Sequence, residues 1–327
     1  MFDVVGIGRC CLDHIAVLKS LPRADTKVPM ARYAMVGGGQ SSTAMVALSR
    51  LGLKTAFVGV VGDDALGEML VAELKAEGVD TTGVRVIPRV PTPVALILVE
   101  EKKGTRTIAY LDSMEGRLRR RTADLDIVLS SRLLMIDPYG TRLGVEIGGE
   151  IKKRGIVTVY DAEHETEGFS RMLDRADYLV ASRDAASTLG AKTPREALNK
   201  LYSHGPLAAV VTLGRRGCIA LSPAGFQAAP AFPVKVVDST AAGDAFHAGF
   251  AYGVFRSWPL ARTLVFANAL GALVCRGLGG RATLPTLPEA LAFVHRRRAT
   301  ALEVDAEHRG AVIARPRSGA KATKQSY

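Results

Sequence analysis

Short apolar runs of strand length alternate along this chain with stretches of helical spacing, and that alternation narrows the fold more than any other feature. Residues 2–8 (FDVVGIG), 55–61 (TAFVGVV), 156–160 (IVTVY), 178–181 (YLVA) and 208–213 (AAVVTL) read as buried strands, and part of 126–136 joins them. Between the first two strands, Ala44, Leu48 and Leu51 recur at helical spacing, and Gly52 can close that helix. Asp63 or Asp64 can cap the next helix, whose apolar positions are Leu66, Met69, Leu70 and Leu74, and Gly78 ends it. Residues 194–203 are again helical. Such an alternation predicts a three-layer α/β/α fold whose mainly parallel sheet is covered on both faces. Two segments break the rhythm. Residues 14–36 are extended and turn-rich, and 93–110 read as two strands joined by a turn at Lys103-Gly104. Together they predict a small β-sheet lid over a cleft.

Of the 327 residues, 48% are hydrophobic and 23% charged, which excludes a wholly disordered chain. No apolar run reaches the ~18–20 residues of a membrane span. The opening MFDVVGIG carries no basic leader, and Cys10, Cys11, Cys218 and Cys275 form no C-x-x-C pair. The expectation is a cytoplasmic protein with reduced cysteines and no membrane partner. Much of the net charge of +11 gathers at the end of the chain, where Arg309 to Tyr327 hold five basic residues and no acidic one. Aromatic residues do not interleave with these charges, so a solvated tail is expected rather than a nucleic-acid platform. The division expected is a folded domain over 1–305 and a basic, disordered tail over 306–327.

The stretch that carries most chemistry is 236–250, VVDSTAAGDAFHAGF. Val236 and Val237 read as the end of a strand, Asp238-Ser239-Thr240 as a polar turn, and Ala241-Ala242-Gly243-Asp244 as a helix start. Small residues at a helix N-terminus let backbone N–H groups approach an anion, and the helix dipole adds positive charge there. Asp244 in that first turn can accept a proton. An anion cradle beside a carboxylate is what phosphoryl transfer to an alcohol requires. The same spacing also fits a plain N-capped helix packed through small residues. A second glycine-rich run, Gly37-Gly38-Gly39-Gln40-Ser41-Ser42-Thr43-Ala44, also precedes a helix but lacks the lysine of a P-loop. Gly6-x-Gly8 after the first strand is not completed by a third glycine, because Cys11 stands there.

Taken in order, these segments resemble the ribokinase-like (PfkB) carbohydrate kinase family over roughly residues 2–300. The matching runs are Gly38-Gly39…Thr43…Leu51-Gly52, Val58-Gly59…Gly62-Asp63-Asp64…Gly67, Thr212-Leu213-Gly214…Gly217, Asp238 through Asp244, and Gly279-Gly280-Arg281-Ala282-Thr283-Leu284-Pro285. The resemblance implies an ATP-dependent sugar kinase in which Asp244 is the catalytic base. The N–H groups around Ala241, Ala242 and Gly243 would form the anion hole. Asp13, read at the end of the first strand, would meet the sugar together with Gly38, Gly39 and Thr43, and Thr212, Gly214, Gly217 and Asn268 would lie along ATP. Asp238 and Thr240, with positions Val274, Gly277, Gly279 and Thr283, match a loop that binds a monovalent cation such as K⁺. The resemblance further implies Mg²⁺ on the phosphates and a homodimer formed through the lid.

Three positions depart from the family's pattern. Thr43 stands where many members have Asn, and Ala241 where Gly is commoner. The N-x-x-E motif of the Mg²⁺–phosphate network is degraded around Ala181 to Asp184, leaving Asp184 in place of the Glu. The motifs are most similar to sulfofructose kinase, fructokinase and ketohexokinase-like members, which suggests a fructose-like acceptor. Lys27 is the candidate contact for an anionic substituent, although Pro138 occupies the place where sulfofructose kinases carry an Arg. The rival readings are a nucleoside or ribose kinase of the same family and a non-catalytic sugar- or nucleotide-binding regulator. The cluster Asp161, Glu163, His164, Glu165 and Glu167 lacks metal-ligand spacing and reads as a loop with substrate contact. His247 reads as a packing residue.

Overall fold

The computed structural model describes residues 1–101 and 105–296. In chain order, β1 (Phe2–Gly8) enters the core, and β2 (Cys11–Leu18) and β3 (Met30–Gly38) leave it for the lid. The chain returns through α1 (Gln40–Arg50), β4 (Thr55–Gly62), α2 (Ala65–Ala76) and β5 (Val84–Ile87). β6 (Val94–Glu100) and β7 (Thr105–Leu111) complete the lid. α3 (Leu125–Leu129) leads into β8 (Ser131–Ile136), and α4 (Thr141–Glu146) and α5 (Gly148–Arg154) lead into β9 (Val157–Asp161). α6 (Phe169–Leu173) precedes β10 (Tyr178–Ser182), and α7 (Pro194–Ser203) precedes β11 (Ala208–Thr212). The edge strands β12 (Cys218–Ser222) and β13 (Gly225–Ala229) follow, then α8 (Ala242–Phe255) and α9 (Leu260–Val274).

The large sheet has the order β13-β12-β11-β10-β9-β8-β1-β4-β5. It is parallel from β11 to β5 and antiparallel at β12 and β13. Alternate residues of each buried strand feed two cores. Val4, Leu133 and Met135 pack with α1, α8 and α9 on one face, while Val5, Ile7, Leu134 and Ile136 pack with α4 to α7 on the other. The α/β/α expectation therefore holds, and for the expected reason: strands apolar on both faces need helices on both. From β1 the chain extends the sheet one way through β4 and β5, then returns to extend it the other way through β8. That switch point opens a crevice at the carboxyl ends of β1 and β8.

The lid is a separate sheet of order β3-β2-β6-β7. Its period-2 register places Asp13, Ala95, Ile97, Arg106, Ile108 and Tyr110 on the face toward the crevice. Met35, Tyr33, Leu96 and Leu111 fall on the opposite, exposed face.

The strand expected in part of 126–136 is β8, and α3 occupies the front, because Asp124 accepts from the Ile127 N–H and caps a short helix. Two expectations need correction. Val236 and Val237 belong to no strand; the Val237 N–H instead bonds the Cys275 carbonyl at the end of α9. Asp13, expected at the end of the first core strand, sits on lid strand β2. The Lys103-Gly104 turn and the 306–327 tail lie outside the described residues.

Candidate active site

The loop 238–241 is bound together by one buried carboxylate. Asp238, 1% exposed, accepts from the Thr240 N–H at 2.9 Å, the Thr240 hydroxyl at 2.7 Å and the Gly279 N–H at 3.1 Å. Ala241 then takes a left-handed conformation (φ 61°) and becomes the N-cap of α8. An alanine there costs about 1 kcal/mol that glycine would not. The resulting first turn of α8 presents the N–H groups of Ala242 and Gly243 with no side chain capping them.

Two clefts meet at this turn. One, of about 460 Å³, is lined by Thr212, Gly214, Gly217 and Asn268 together with Ala242 and Gly243, and its walls include Pro233, Val234 and Phe246. All four residues expected along a nucleotide thus share one cavity. Asn268 has a structural duty as well, since its amide donates to the Ala229 carbonyl at 3.0 Å. The second cleft, of about 670 Å³, lies between the lid and the carboxyl ends of the parallel strands. Asp13, Gly39, Thr240, Ala241, Gly243, Asp244 and Asp184 line it. Gly243 belongs to both.

Asp244 makes no side-chain hydrogen bond among the described residues. Burial, with the Glu163, Asp13 and Asp137 carboxylates nearby, pushes its carboxyl up to about 7, against a smaller opposing pull from Arg106. A carboxylate held near neutrality is a suitable proton acceptor. Asp13 is also raised, first by burial, and the Cys11 thiol donates to it at 3.3 Å. Burial pushes that thiol well above its ordinary range, so it remains a donor.

Other expected residues fall elsewhere. Gly38 does not line the cleft; a Cβ there would come within 2.2 Å of Asp13 Oδ2, so its glycine makes room for that carboxylate. Thr43 is buried, and its hydroxyl accepts from Arg281 Nε at 3.2 Å, which directs it into the protein. Lys27 is exposed in the β2–β3 loop and is not part of the cleft wall. Asp184 is on the wall, highly exposed and paired with Arg183 at 3.1 Å. The Thr283 hydroxyl donates to the Val274 carbonyl at 2.8 Å, Thr283 packs against Gly277, and the Gly279 N–H bonds Asp238, so the cation-loop positions do converge.

Several site residues were not legible beforehand. Asp137, fully buried, accepts from the N–H groups of Arg9, Ser41, Tyr139 and Gly140 at 2.8 to 3.2 Å, yet burial still lifts it to about 6. A Cβ on Gly8 would come within 2.0 Å of it, so the glycine that ends β1 makes room for this carboxylate. Arg281, 2% exposed, donates to the Gly38 carbonyl, Ser42, Thr43 and Glu73, and so fixes the glycine-rich turn before α1. Arg106 reaches from the lid to the Ser239 hydroxyl. His247 is buried, with Nδ1 bonded to the Gly243 carbonyl at 2.8 Å and Nε2 3.4 Å from Asp161. Glu163 and His164 line the lid-side cleft, whereas among the described residues no group of three or more His, Cys, Asp or Glu could hold a metal ion.

A family model for the pfkB family of carbohydrate kinases matches residues 1–287. The chain belongs to this family. As a PfkB protein it is an ATP-dependent carbohydrate kinase, and the meeting of the two clefts acquires a chemical meaning. Among curated relatives, the 5-dehydro-2-deoxygluconokinase of Geobacillus kaustophilus is 25% identical, covering 90% of this chain and 94% of its own. The ribokinase of Haemophilus influenzae is 26% identical, covering 88% and 97%. Among solved structures, Thermotoga maritima ribokinase superposes with a TM-score of 0.77 at 21% identity, covering 90% of this chain and 100% of that one.

Proposed function

We propose that this PfkB protein transfers the γ-phosphoryl group of ATP in line to a primary hydroxyl of a five- or six-carbon sugar. The observation that carries the reading is the junction of the two clefts at Gly243, with Asp244 on the acceptor side. In this reading ATP occupies the cleft of Thr212, Gly214 and Gly217, and its terminal phosphate lies on the N–H groups of Ala242 and Gly243. Asp244 takes the hydroxyl proton as the bond to phosphorus forms, and the amides stabilise the charge that develops on the transferring oxygens. Asp13 accepts hydrogen bonds from sugar hydroxyls.

Mg²⁺ fits the site modestly. It needs only one or two protein carboxylates beside the ATP phosphates, and Asp184 and Glu163 stand on the cleft wall. When bound, it neutralises phosphate charge. An Escherichia coli protein assigned as ribokinase II was solved with ATP and Mg²⁺, and Arabidopsis thaliana ribokinase with ribose and ATP. K⁺ fits better. Asp238 is a buried carboxylate with no cationic side chain paired to it among the described residues. The relatives' names span ribose, 5-dehydro-2-deoxygluconate and nucleosides, so the fructose-like acceptor rests on motif resemblance alone. A homodimer through the lid is supported by the outer-face residues Tyr33, Met35, Leu96 and Leu111.

The test is acceptor-dependent ADP formation across pentoses, ketohexoses, sugar acids and nucleosides. Turnover with a sugar supports the reading, turnover confined to nucleosides favours the rival kinase, and ATP binding without any transfer refutes both.

A further inference from the structure

The side chain of Arg9 follows β1 into the crevice and is nine-tenths buried, 9% of it remaining exposed. Its Nη1 donates to the Tyr139 hydroxyl and lies 3.7 Å from an Asp112 oxygen. The Tyr110 and Tyr139 ring centroids are 5.0 and 4.8 Å from its Cζ. Nε has no hydrogen-bond partner among the described residues. A guanidinium carries five N–H donors and keeps its charge at any working pH. Removing it from water is costly unless those donors are met. Here one donor meets a neutral phenol, and Asp112 is too distant to accept a hydrogen bond. The two rings stabilise the charge and hold the group in place, but they supply no strong acceptor. The donors therefore outnumber their acceptors.

This under-satisfied cation lines the same cleft as Asp13 and Asp244. A neutral polyol gives it only weak partners, whereas a two-oxygen anion matches a guanidinium edge. The rest of the cleft limits where such an anion can sit. Asp13, Glu163, Asp184 and Asp244 repel it, as does Asp112 beside Arg9, so the anion is confined to the guanidinium edge turned away from Asp112, and Arg106 is engaged with Ser239. We propose that Arg9 is an acceptor-specificity residue, and that the preferred acceptor carries an anionic group that docks on Arg9 while its hydroxyls meet Asp13. The inference rests on the kinase reading. It assigns to Arg9 the role that the sequence suggested for Lys27.

The test compares three acceptors of one carbon skeleton: a neutral ketose, its sugar acid and its phosphate ester. The wild-type enzyme should favour an anionic arm by about 30-fold or more in kcat/KM, the scale of a charge-assisted pair. The carboxylate and phosphate arms distinguish the two anions. The KM of the favoured arm should rise with ionic strength while that of the neutral arm stays flat. Arg9→Gln should lose about 30-fold on the anionic arm, mainly in KM, with the neutral arm within about 3-fold, and Arg9→Lys should recover part of the loss. A wild-type preference for the neutral arm with salt-independent KM overturns the inference and leaves the kinase reading standing. Equal losses on both arms in a normally folded Arg9→Gln protein also overturn it. Should that variant not fold, the wild-type arm ratio and its salt dependence decide. No acceptor-dependent ADP from any arm or from the wider panel of pentoses, ketohexoses, sugar acids and nucleosides overturns the kinase reading together with this one.

Discussion

Replacing Asp244 with Asn should inactivate the enzyme and stabilise the fold at the same time. The folded chain holds this carboxyl near 7, against an ordinary value of 3.8, chiefly through burial. Ionising it is therefore harder in the folded chain than in the unfolded one. The stabilisation from the neutral carboxyl is complete below about pH 4 and is lost as the pH rises through 7. Above pH 7 the folded protein carries a carboxylate that water would solvate better. A difference of about three pH units corresponds to about 4 kcal/mol at most. The open cleft screens the charge, and the positive end of α8 offsets about 0.3–1 kcal/mol of the strain. About 1–2 kcal/mol should remain. Asparagine cannot ionise, and Asp244 makes no side-chain hydrogen bond among the described residues that would be lost. For a chain of this size the gain is roughly 1.5–3 °C in Tm at pH 8.5, shrinking as the pH falls from 7 toward 4. The kcat should fall by at least about 10²-fold, the scale of positioned base catalysis. Thermal unfolding at pH 4.5, 7 and 8.5, with turnover of the same samples, tests both halves. A variant melting at or below wild type at pH 8.5, or by the same margin at every pH, refutes the electrostatic reasoning. Near wild-type turnover refutes the base.

Glu163→Gln removes the carboxylate that contributes most, after burial, to raising Asp244, so the acidic limb of the kcat/KM profile should move below pH 7. At pH 6 the variant should run about 2–5 times faster relative to its own plateau, read by steady-state rates. Arg281→Met leaves the Gly38 carbonyl, Ser42 and Glu73 without their buried partner, and should cost about 3–5 kcal/mol in urea unfolding. Asp13→Ala should raise the sugar KM about tenfold while leaving the KM for ATP nearly unchanged. If Asp238 and its loop hold a monovalent cation, K⁺ should raise activity above Na⁺ at equal ionic strength; identical rates in the two salts would remove the cation from the site.

The sequence determined the layers and the loop and helix start proposed to hold the phosphate. Apolar runs such as FDVVGIG and AAVVTL bury both faces, so a helix-covered parallel sheet follows from burial alone. The DSTAAGD segment was legible because its chemistry is local: a cap, small residues and a carboxylate contiguous in the chain, needing only a helix start to become an anion cradle. Asp13 was found but misplaced, because nothing local tells a core strand's end from a lid strand's beginning five residues after Gly8. What only the tertiary structure decided are the partners of charged groups. Asp137 meets four N–H donors from three segments, Arg281 meets a turn some 240 residues before it, and Arg9 meets a tyrosine from each side of the cleft. Composition says how many charges a chain carries. Which of them lose water, and which acceptor each then lacks, depends on non-local packing, and that packing is what makes Lys27 a solvated lysine and Arg9 a buried cation with donors to spare.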